Sequence, residues 1–350
     1  MTGSKDAPEN VLRRKRIVKA LKDYPDTPTR TIARALHAEN TALFPSIDLT
    51  RDLIRTVRGA RGKNSETASD KSLFRPKGVS GADAWEGMMP ESWSEPIEPF
   101  ILPKSIRSLL VLSDIHVPFH DIEALKIAIR YGIAAKPDAV LLNGDTLDFY
   151  ALSDHEKDPR KVRWNEELEA CRSVLKMIRA AFPLVPIYFK AGNHEYRMER
   201  HLMKYAPVLI GMREFEMPTL LRMAEHGIHY IANKRVIYAG ELNIAHGDEW
   251  KGGGGINPAR WVSLRARENA LIGHFHRVSE HPERTLRGNV RGYWSMGCLC
   301  ELQPQYLPYN DWGHGFAMVF LNEDGSFEVD LKKIIKGKVR CGLRVCVVYE

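Results

Sequence analysis

Leu110-Val111-Leu112-Ser113-Asp114-Ile115-His116 is the stretch from which the fold of this chain can be read. Its apolar run makes a short buried strand, and the end of that strand delivers Asp114 and His116. Residues two apart on an extended backbone point to the same side, so a carboxylate and an imidazole are presented together. Such a pair suits a divalent metal. Asp-x-His alone is common by chance. Its weight comes from later segments that repeat the plan, an apolar strand ending in a polar ligand beside a glycine.

Ala139-Val-Leu-Leu142 runs into Asn143-Gly144-Asp145, and Pro186-Ile-Tyr-Phe-Lys190 leads to Gly192-Asn193-His194-Glu195. His246 precedes Gly247, and Gly273-His274-Phe275-His276 closes the series. Glycine beside a ligand lets the backbone turn sharply and approach an ion. The donors are nitrogen and oxygen only, which suits manganese, iron or zinc in a hydrolytic centre. Between these segments the periodicity predicts an amphipathic helix over 121–135 and a long one over about 161–181, with Leu168, Cys171, Val174, Leu175 and Ile178 on its buried face. Shorter helices follow near 196–206 and 218–226, and then strand candidates at 227–231, 235–238, 242–245, 270–272, 291–296, 316–321 and 327–334. Helices alternating with strands early and a run of strands late predict an α/β domain over 105–350, with two sheets packed together and helices outside.

The order Asp-x-His, Gly-Asp-x-x-Asp, Gly-Asn-His-Glu, His, Gly-His-x-His resembles that of the calcineurin-like metallophosphoesterase superfamily, over roughly Ile106 to Leu321. The resemblance implies a four-layer α-β-β-α sandwich of two packed mixed sheets. It also implies two divalent ions, manganese first, with iron, zinc or nickel as the others. Metal one would take Asp114, His116, Asp145 and His276; metal two would take Asp145, Asn193, His246 and His274, with Asp145 bridging. His194 is expected over the scissile phosphate, where it steadies charge or protonates the leaving oxygen, with Asn193 also on the phosphate. Asp148, Glu195 and His120 are expected to orient ligand imidazoles, Asp148 being counted with His194 in the catalytic set. The implied reaction is phosphoester hydrolysis by hydroxide held between the metals, without a covalent intermediate.

Departures from the motif narrow the branch. Asp148 is followed by Phe149-Tyr150, where protein Ser/Thr phosphatases continue Asp-Arg-Gly. The first block reads Ser113-Asp-Ile-His-Val117 rather than Gly-Asp-x-His-Gly, and Ser295-Met-Gly-Cys298 stands for the common Asn-Pro-Gly-Ser. Lys251-Gly-Gly-Gly-Gly255-Ile-Asn-Pro-Ala-Arg260 follows the His246 turn. It reads either as a mobile flap bringing Lys251 or Arg260 to a phosphate or as a plain flexible loop.

Charge sets the N-terminus apart. Residues 1–63 hold 14 Lys and Arg against 7 Asp and Glu, which accounts for the whole formal excess of +7. Val11, Ile17, Val18 and Leu21 predict one helix amid Arg13, Arg14, Lys15, Arg16, Lys19 and Lys22. Thr29 or Thr31 is the expected cap of a second helix, and a third runs from near Ser46–Asp48 to Val57, ending at Gly59. On the third, Arg51, Arg55 and Arg58 share one face, and Leu53, Ile54 and Val57 the other. This resembles a helix-turn-helix in outline, with a longer second turn, and its basic face suits nucleic acid. Residues 64–104 read as a linker whose Trp85, Met88, Met89 and Trp93 are expected to pack on the following domain.

No apolar run reaches the ~20 residues that span a bilayer, and the N-terminus shows no signal-peptide core. Five cysteines at scattered positions fit reduced thiols in a cytoplasm, with Cys298 and Cys300 read as packing first and as metal-binding second. A basic helical module ahead of such a core resembles enzymes of phages and mobile elements. The leading expectation is a phosphodiesterase or nuclease acting on nucleic acid. A phosphomonoesterase is the second, and a DNA-binding regulator with an inactive core the third.

Overall fold

Side-chain alternation along Ser108–Leu112 sorts two cores: Leu109 and Val111 face one, Leu110 and Leu112 the other. The computed structural model describes residues 8–25, 27–58, 89–154, 157–158, 160–341 and 344–347, with the backbone alone at 341 and 344–347. The chain divides into two units, residues 1–94 and 95–350.

The first unit contains α1 (Pro8–Asp23), α2 (Thr29–Glu39) and α3 (Ile47–Val57). Its core is Ile17, Leu21, Ile32, Ala33, Leu36, Leu43, Phe44 and Ile54. Val11, expected on the inner face, is exposed; Ile17 and Leu21, one helical turn apart, are the buried pair. Ser46 caps α3 by accepting the Leu49 N–H at 3.1 Å. Neither threonine caps α2, because Pro28 holds that position. The long turn before α3 is built rather than slack: Asn40 Oδ1 accepts the Leu43 N–H at 2.9 Å, and Arg13 Nε donates to the Leu43 carbonyl at 2.5 Å. Gly59, Trp85 and Met88 lie outside the described residues, while Met89 and Trp93 are exposed, Trp93 at 96%.

In the second unit, β1 (Phe100–Ile101), β2 (Ser108–Leu112), β3 (Ala139–Asn143), β4 (Ile187–Lys190), β5 (Ile228–Ile231) and β6 (Ile237–Ala239) are followed by β7 (Leu242–Ile244), β8 (Ala270–Ile272), β9 (Val278–Arg284), β10 (Val290–Met296), β11 (Gly315–Leu321) and β12 (Phe327–Lys333). One sheet runs β12-β11-β2-β3-β4-β5, its last four strands parallel; the other runs β1-β6-β7-β8-β10-β9. Both sheets are mixed. Between them lie Leu109, Val111, Leu141, Ile237, Ile244, Leu271, Met296 and Val319. The outer face of the first sheet, including Leu110, Val140 and Phe189, is covered by α4 (Ile122–Ala135), α5 (Trp164–Ala181), α6 (Tyr196–Tyr205) and α7 (Met217–Leu220). The outer face of the second carries Ala270, Ile272 and Tyr293 against Ala259 and Val262 of α8 (Pro258–Ala266). That is the four-layer α-β-β-α sandwich. A short hairpin of β13 (Lys338–Cys341) and β14 (Arg344–Val347) follows.

Three elements depart from the sequence expectation. β1 falls inside the stretch read as linker and pairs in parallel with β6. β9, Val-Ser-Glu-His-Pro-Glu-Arg, is an edge strand bonded only to β10, so its exposed side tolerates charge and Pro282. α8 begins at Pro258 with Asn257 accepting the Arg260 N–H at 2.9 Å, so Arg260 sits on a helix rather than in a flap.

Candidate metal centre

Strand ends carry the ligands, as the sequence predicts. Asp114 and His116 follow β2, Asp145 follows β3, Asn193 and His194 follow β4, His246 follows β7, and His274 and His276 follow β8. The backbone turns hard at five of them: Asp114, His116, Asp145, His274 and His276 have φ between 50° and 64°. Non-glycine residues take this left-handed region at a cost of order 1–3 kcal/mol, and such residues cluster where a site needs them.

The first cluster is tight. His276 Nε2 is 3.2 Å from both Asp114 Oδ1 and His116 Nε2. His116 Nε2 is 4.0 Å from Asp114 Oδ1 and 3.9 Å from Asp145 Oδ2. Ligands about 2.1 Å from a common ion stand about 3.4 Å apart, so these donors fit one cation. The second cluster joins Asp145, His246 and His274, whose ligand atoms lie within 4.8 Å of one another. His246 Nε2 is 3.1 Å from Asp145 Oδ2, yet it is buried with no hydrogen-bond partner, as is Asn193 Oδ1. Buried polar atoms are rarely left orphaned, and an ion accounts for both. Asp145 belongs to both clusters.

Neighbours fix the donors. His246 Nδ1 is 2.9 Å from the Asn143 carbonyl, which leaves Nε2 to face the site. Asp148 Oδ1 lies 2.9 Å from His116 Nδ1 and 3.1 Å from His194 Nδ1, so one carboxylate orients two rings. Glu195 accepts backbone N–H groups of Gly192 at 2.8 Å, Asp145 at 3.0 Å and Leu147 at 2.9 Å, tying two ligand loops together. His274 donates its own N–H to Asp114 at 3.0 Å.

Charge is balanced without a metal. Burial would raise Asp145, but the imidazoles of His194 and His246 hold it well below the carboxylate range. Burial opposes protonation of His246, and Asp145 nonetheless raises it well above an ordinary histidine. His276 is likewise pushed up to about 10 against burial, by Cys300 and Asp114. Burial and His246 bring His274 down to about 4. The negative charge of Asp114 and Asp145 thus favours positive charge at the centre, which a divalent cation would also supply.

A profile of the calcineurin-like phosphoesterase family matches residues 107–305, more than half of the chain. The chain belongs to the calcineurin-like phosphoesterase family. Among proteins similar to it are the Gene 54 protein of Mycobacterium phage L5, 28% identical over 68% of this chain and 98% of that protein, and the Gene 54 protein of Mycobacterium phage D29, 26% identical over 66% and 95%. Among solved structures, a single-mutant Vps29 from Entamoeba histolytica aligns at 13% identity over 67% of this chain and 97% of that one, with a TM-score of 0.35. Yfce, a phosphoesterase from E. coli, aligns at 13% over 69% and 100%, with a TM-score of 0.29.

Within the family's motif blocks the structure brings all seven sequence-predicted ligands and His194 to one end of the sandwich. Lys251 and Arg260 are exposed, and neither side chain bonds to the cluster among the described residues. The glycine loop is also tied down, because Arg277 donates to the Gly255 carbonyl. His120 is half-buried and forms a backbone bridge with Cys300. Arg58, grouped by sequence with Arg51 and Arg55, turns inward to Thr29 Oγ1 at 2.8 Å and to the Thr27 carbonyl at 2.9 Å. Arg51 pairs with Asp48 at 3.3 Å.

Three neighbours were not assigned to the site by the sequence, Cys300 because packing was its first reading. Arg197 donates to the Asp148 carbonyl at 2.8 Å and reaches His194 Nε2 at 3.1 Å. Its signal was the i,i+3 spacing from His194 at a helix start. Cys300 Sγ lies 3.9 Å from His276 Nδ1, so a thiol does border the centre. Cys171, Cys298 and Cys300 are buried free thiols, as expected of a reduced protein. The third is the buried Lys190–Glu249 pair beneath His246, at 2.7 Å.

Glycine is required where loops cross. A Cβ at Gly273 would sit 2.4 Å from Asp114 Oδ2, and one at Gly192 would sit 2.3 Å from Asp145 Oδ1. Gly273→Ala is therefore expected to push Asp114 out of place and lower metal affinity about 100-fold. Metal titration followed by calorimetry checks it; wild-type affinity would contradict the crossing geometry.

Proposed function

We propose that this chain is a dinuclear metal-dependent phosphodiesterase that hydrolyses nucleic acid, its basic helical module, residues 1–63, holding the polyanion. The observation that carries the catalytic part is Asp145, shared by two donor clusters, one of which includes the buried, unpartnered His246 Nε2; Asn193 Oδ1, after β4, is likewise buried and unpartnered. Asp114, His116, Asp145 and His276 would hold one divalent cation, and Asp145, Asn193, His246 and His274 the other. Bound there, the cations supply Lewis acidity toward the phosphoryl oxygens and an attacking hydroxide near neutral pH. The chain's own groups do the rest. Asp148 holds the rings of His116 and His194 in place. His194, raised by Asp145 and Asp148 against the penalty of burial, keeps a proton available near the leaving oxygen. Arg197 beside it offers a fixed positive charge to a phosphate.

The nucleic-acid part is supported by the charge of residues 1–63 and by α1 with its run of basic residues. With manganese, turnover of bis-p-nitrophenyl phosphate is expected to exceed that of the monoester; equal or reversed preference would make the chain a phosphomonoesterase. Affinity for duplex DNA is expected to fall roughly 10³-fold as salt rises from about 50 to 200 mM if some six phosphates are contacted. A flat salt response would remove the polyanion from the reading.

A further inference from the structure

Beside His276 the surface changes from polar to aromatic. The Trp312 ring stands 4.2 Å from the His276 ring, centroid to centroid, at 75°. Tyr306 packs on Trp312 at 6.3 Å and 62°, and is itself 77% exposed. A large aromatic side chain left this open beside a catalytic centre is unused apolar surface. Its loop is held in shape from within. Asn310 Nδ2 donates to the carbonyls of Leu302 at 2.6 Å and Leu307 at 2.8 Å, while Asn310 Oδ1 accepts the Trp312 N–H at 2.9 Å. Lys161 donates to Gln305 of the same loop. The aromatic faces are thus preorganised, with cationic groups close by.

We infer that Tyr306, supported by Trp312, is a stacking platform for the nucleobase of the nucleotide whose phosphate enters the metal centre. This rests on the phosphoesterase reading above and deepens it by naming the group recognised. The chain Tyr306–Trp312–His276 leads from an open ring to a metal ligand, so base and phosphate of one nucleotide can be engaged together. Stacking on an aromatic side chain contributes ~1–3 kcal/mol per base and tolerates any base, because every base has a π-face. The platform therefore favours nucleotide esters over sugar phosphates and accepts single strands, whose bases are free to stack.

The test uses the full chain, with chelator present so that nothing is cleaved. A labelled single-stranded thymidine oligomer is compared with an abasic oligomer of equal length. Their phosphate charges are equal, so the basic N-terminal module contributes equally to both. The thymidine oligomer is expected to bind about tenfold more tightly. Tyr306→Ala should bring the ratio close to one, and Tyr306→Phe should keep it; both replace an exposed side chain and spare the fold. Displacement of the label by thymidine monophosphate, but not by deoxyribose phosphate, supports the platform with a single nucleotide as occupant. Displacement only by a base-bearing oligomer supports it with a strand. Equal wild-type affinity for the two oligomers, or a ratio unchanged by Tyr306→Ala, overturns it. Turnover is not read here, so failure of the diester preference and failure of the platform are separate results.

Discussion

Asp145→Asn is expected to lower kcat/KM by roughly 10³-fold or more while leaving the fold intact. Asp145 Oδ2 lies 3.1 Å from His246 Nε2 and 3.9 Å from His116 Nε2, so this one oxygen belongs to both donor sets. An amide there withdraws a negative charge that two cations would share, and their mutual repulsion is then unrelieved. Both sites should weaken together, which elemental analysis after dialysis reads directly. Asparagine is the better probe than alanine because its side-chain oxygen still accepts the His194 N–H, which Asp145 Oδ1 accepts at 3.0 Å. The metal-free variant should still unfold in one transition, but at a lower Tm, because the carboxylate that faces the buried imidazoles of His194 and His246 is gone. Retained turnover, or loss of one metal with the other held at wild-type affinity, would break the assignment of Asp145 as the bridge.

The ligands were legible in the sequence because each is a local event. An apolar strand, a glycine and a donor occupy consecutive positions, and strand periodicity alone says that Asp114 and His116 emerge together. The two-sheet plan was legible for a similar reason: strands buried on both faces, such as Ala139–Asn143, read as continuous apolar runs. What escaped depends on partners distant in sequence. β9 is polar, and only its pairing with β10 makes it a strand. Tyr306 and Trp312 look like ordinary loop residues until the fold sets Trp312 beside His276.

Charge was misread in the same way. Arg58 lies on a basic helical face by periodicity, yet it bonds to Thr29 and to the Thr27 carbonyl in the preceding turn. Periodicity assigns a residue to a face but says nothing of the backbone carbonyls a long side chain can reach. The glycine run 252–255 likewise read as freedom, while in the structure Arg277 anchors its last carbonyl.

Lys190→Met is expected to lower stability by about 3–5 kcal/mol, a fall in Tm of roughly 10 °C, although the side chain touches no ligand. Lys190 is fully buried at the end of β4, and its Nζ lies 2.7 Å from Glu249 Oε1. Removing the ammonium leaves the Glu249 carboxylate buried and uncompensated, which costs far more than the pair gains over an apolar substitute. Glu249 also accepts the Gly247 N–H at 2.7 Å and the His246 N–H at 3.2 Å, so the lesion reaches the turn that aims His246. Metal affinity should drop with stability, about 10- to 100-fold. The pH dependence fixes the cause. Burial would raise Glu249, but Lys190 and His246 depress it to about 2. A depressed carboxyl stabilises the fold above its unfolded pKa of about 4.5 and loses that contribution as pH falls toward 2. The gap between wild type and Lys190→Met should therefore be widest at neutral pH and narrow through that window, because the variant's Glu249 protonates readily. Adding Glu249→Gln to Lys190→Met removes the stranded charge and keeps an acceptor for one of the two N–H groups, which bond to separate carboxylate oxygens, so much of the lost Tm should return. A double variant no more stable than Lys190→Met would mean that lost packing around the lysine stem, rather than an unpaired carboxylate, sets the cost.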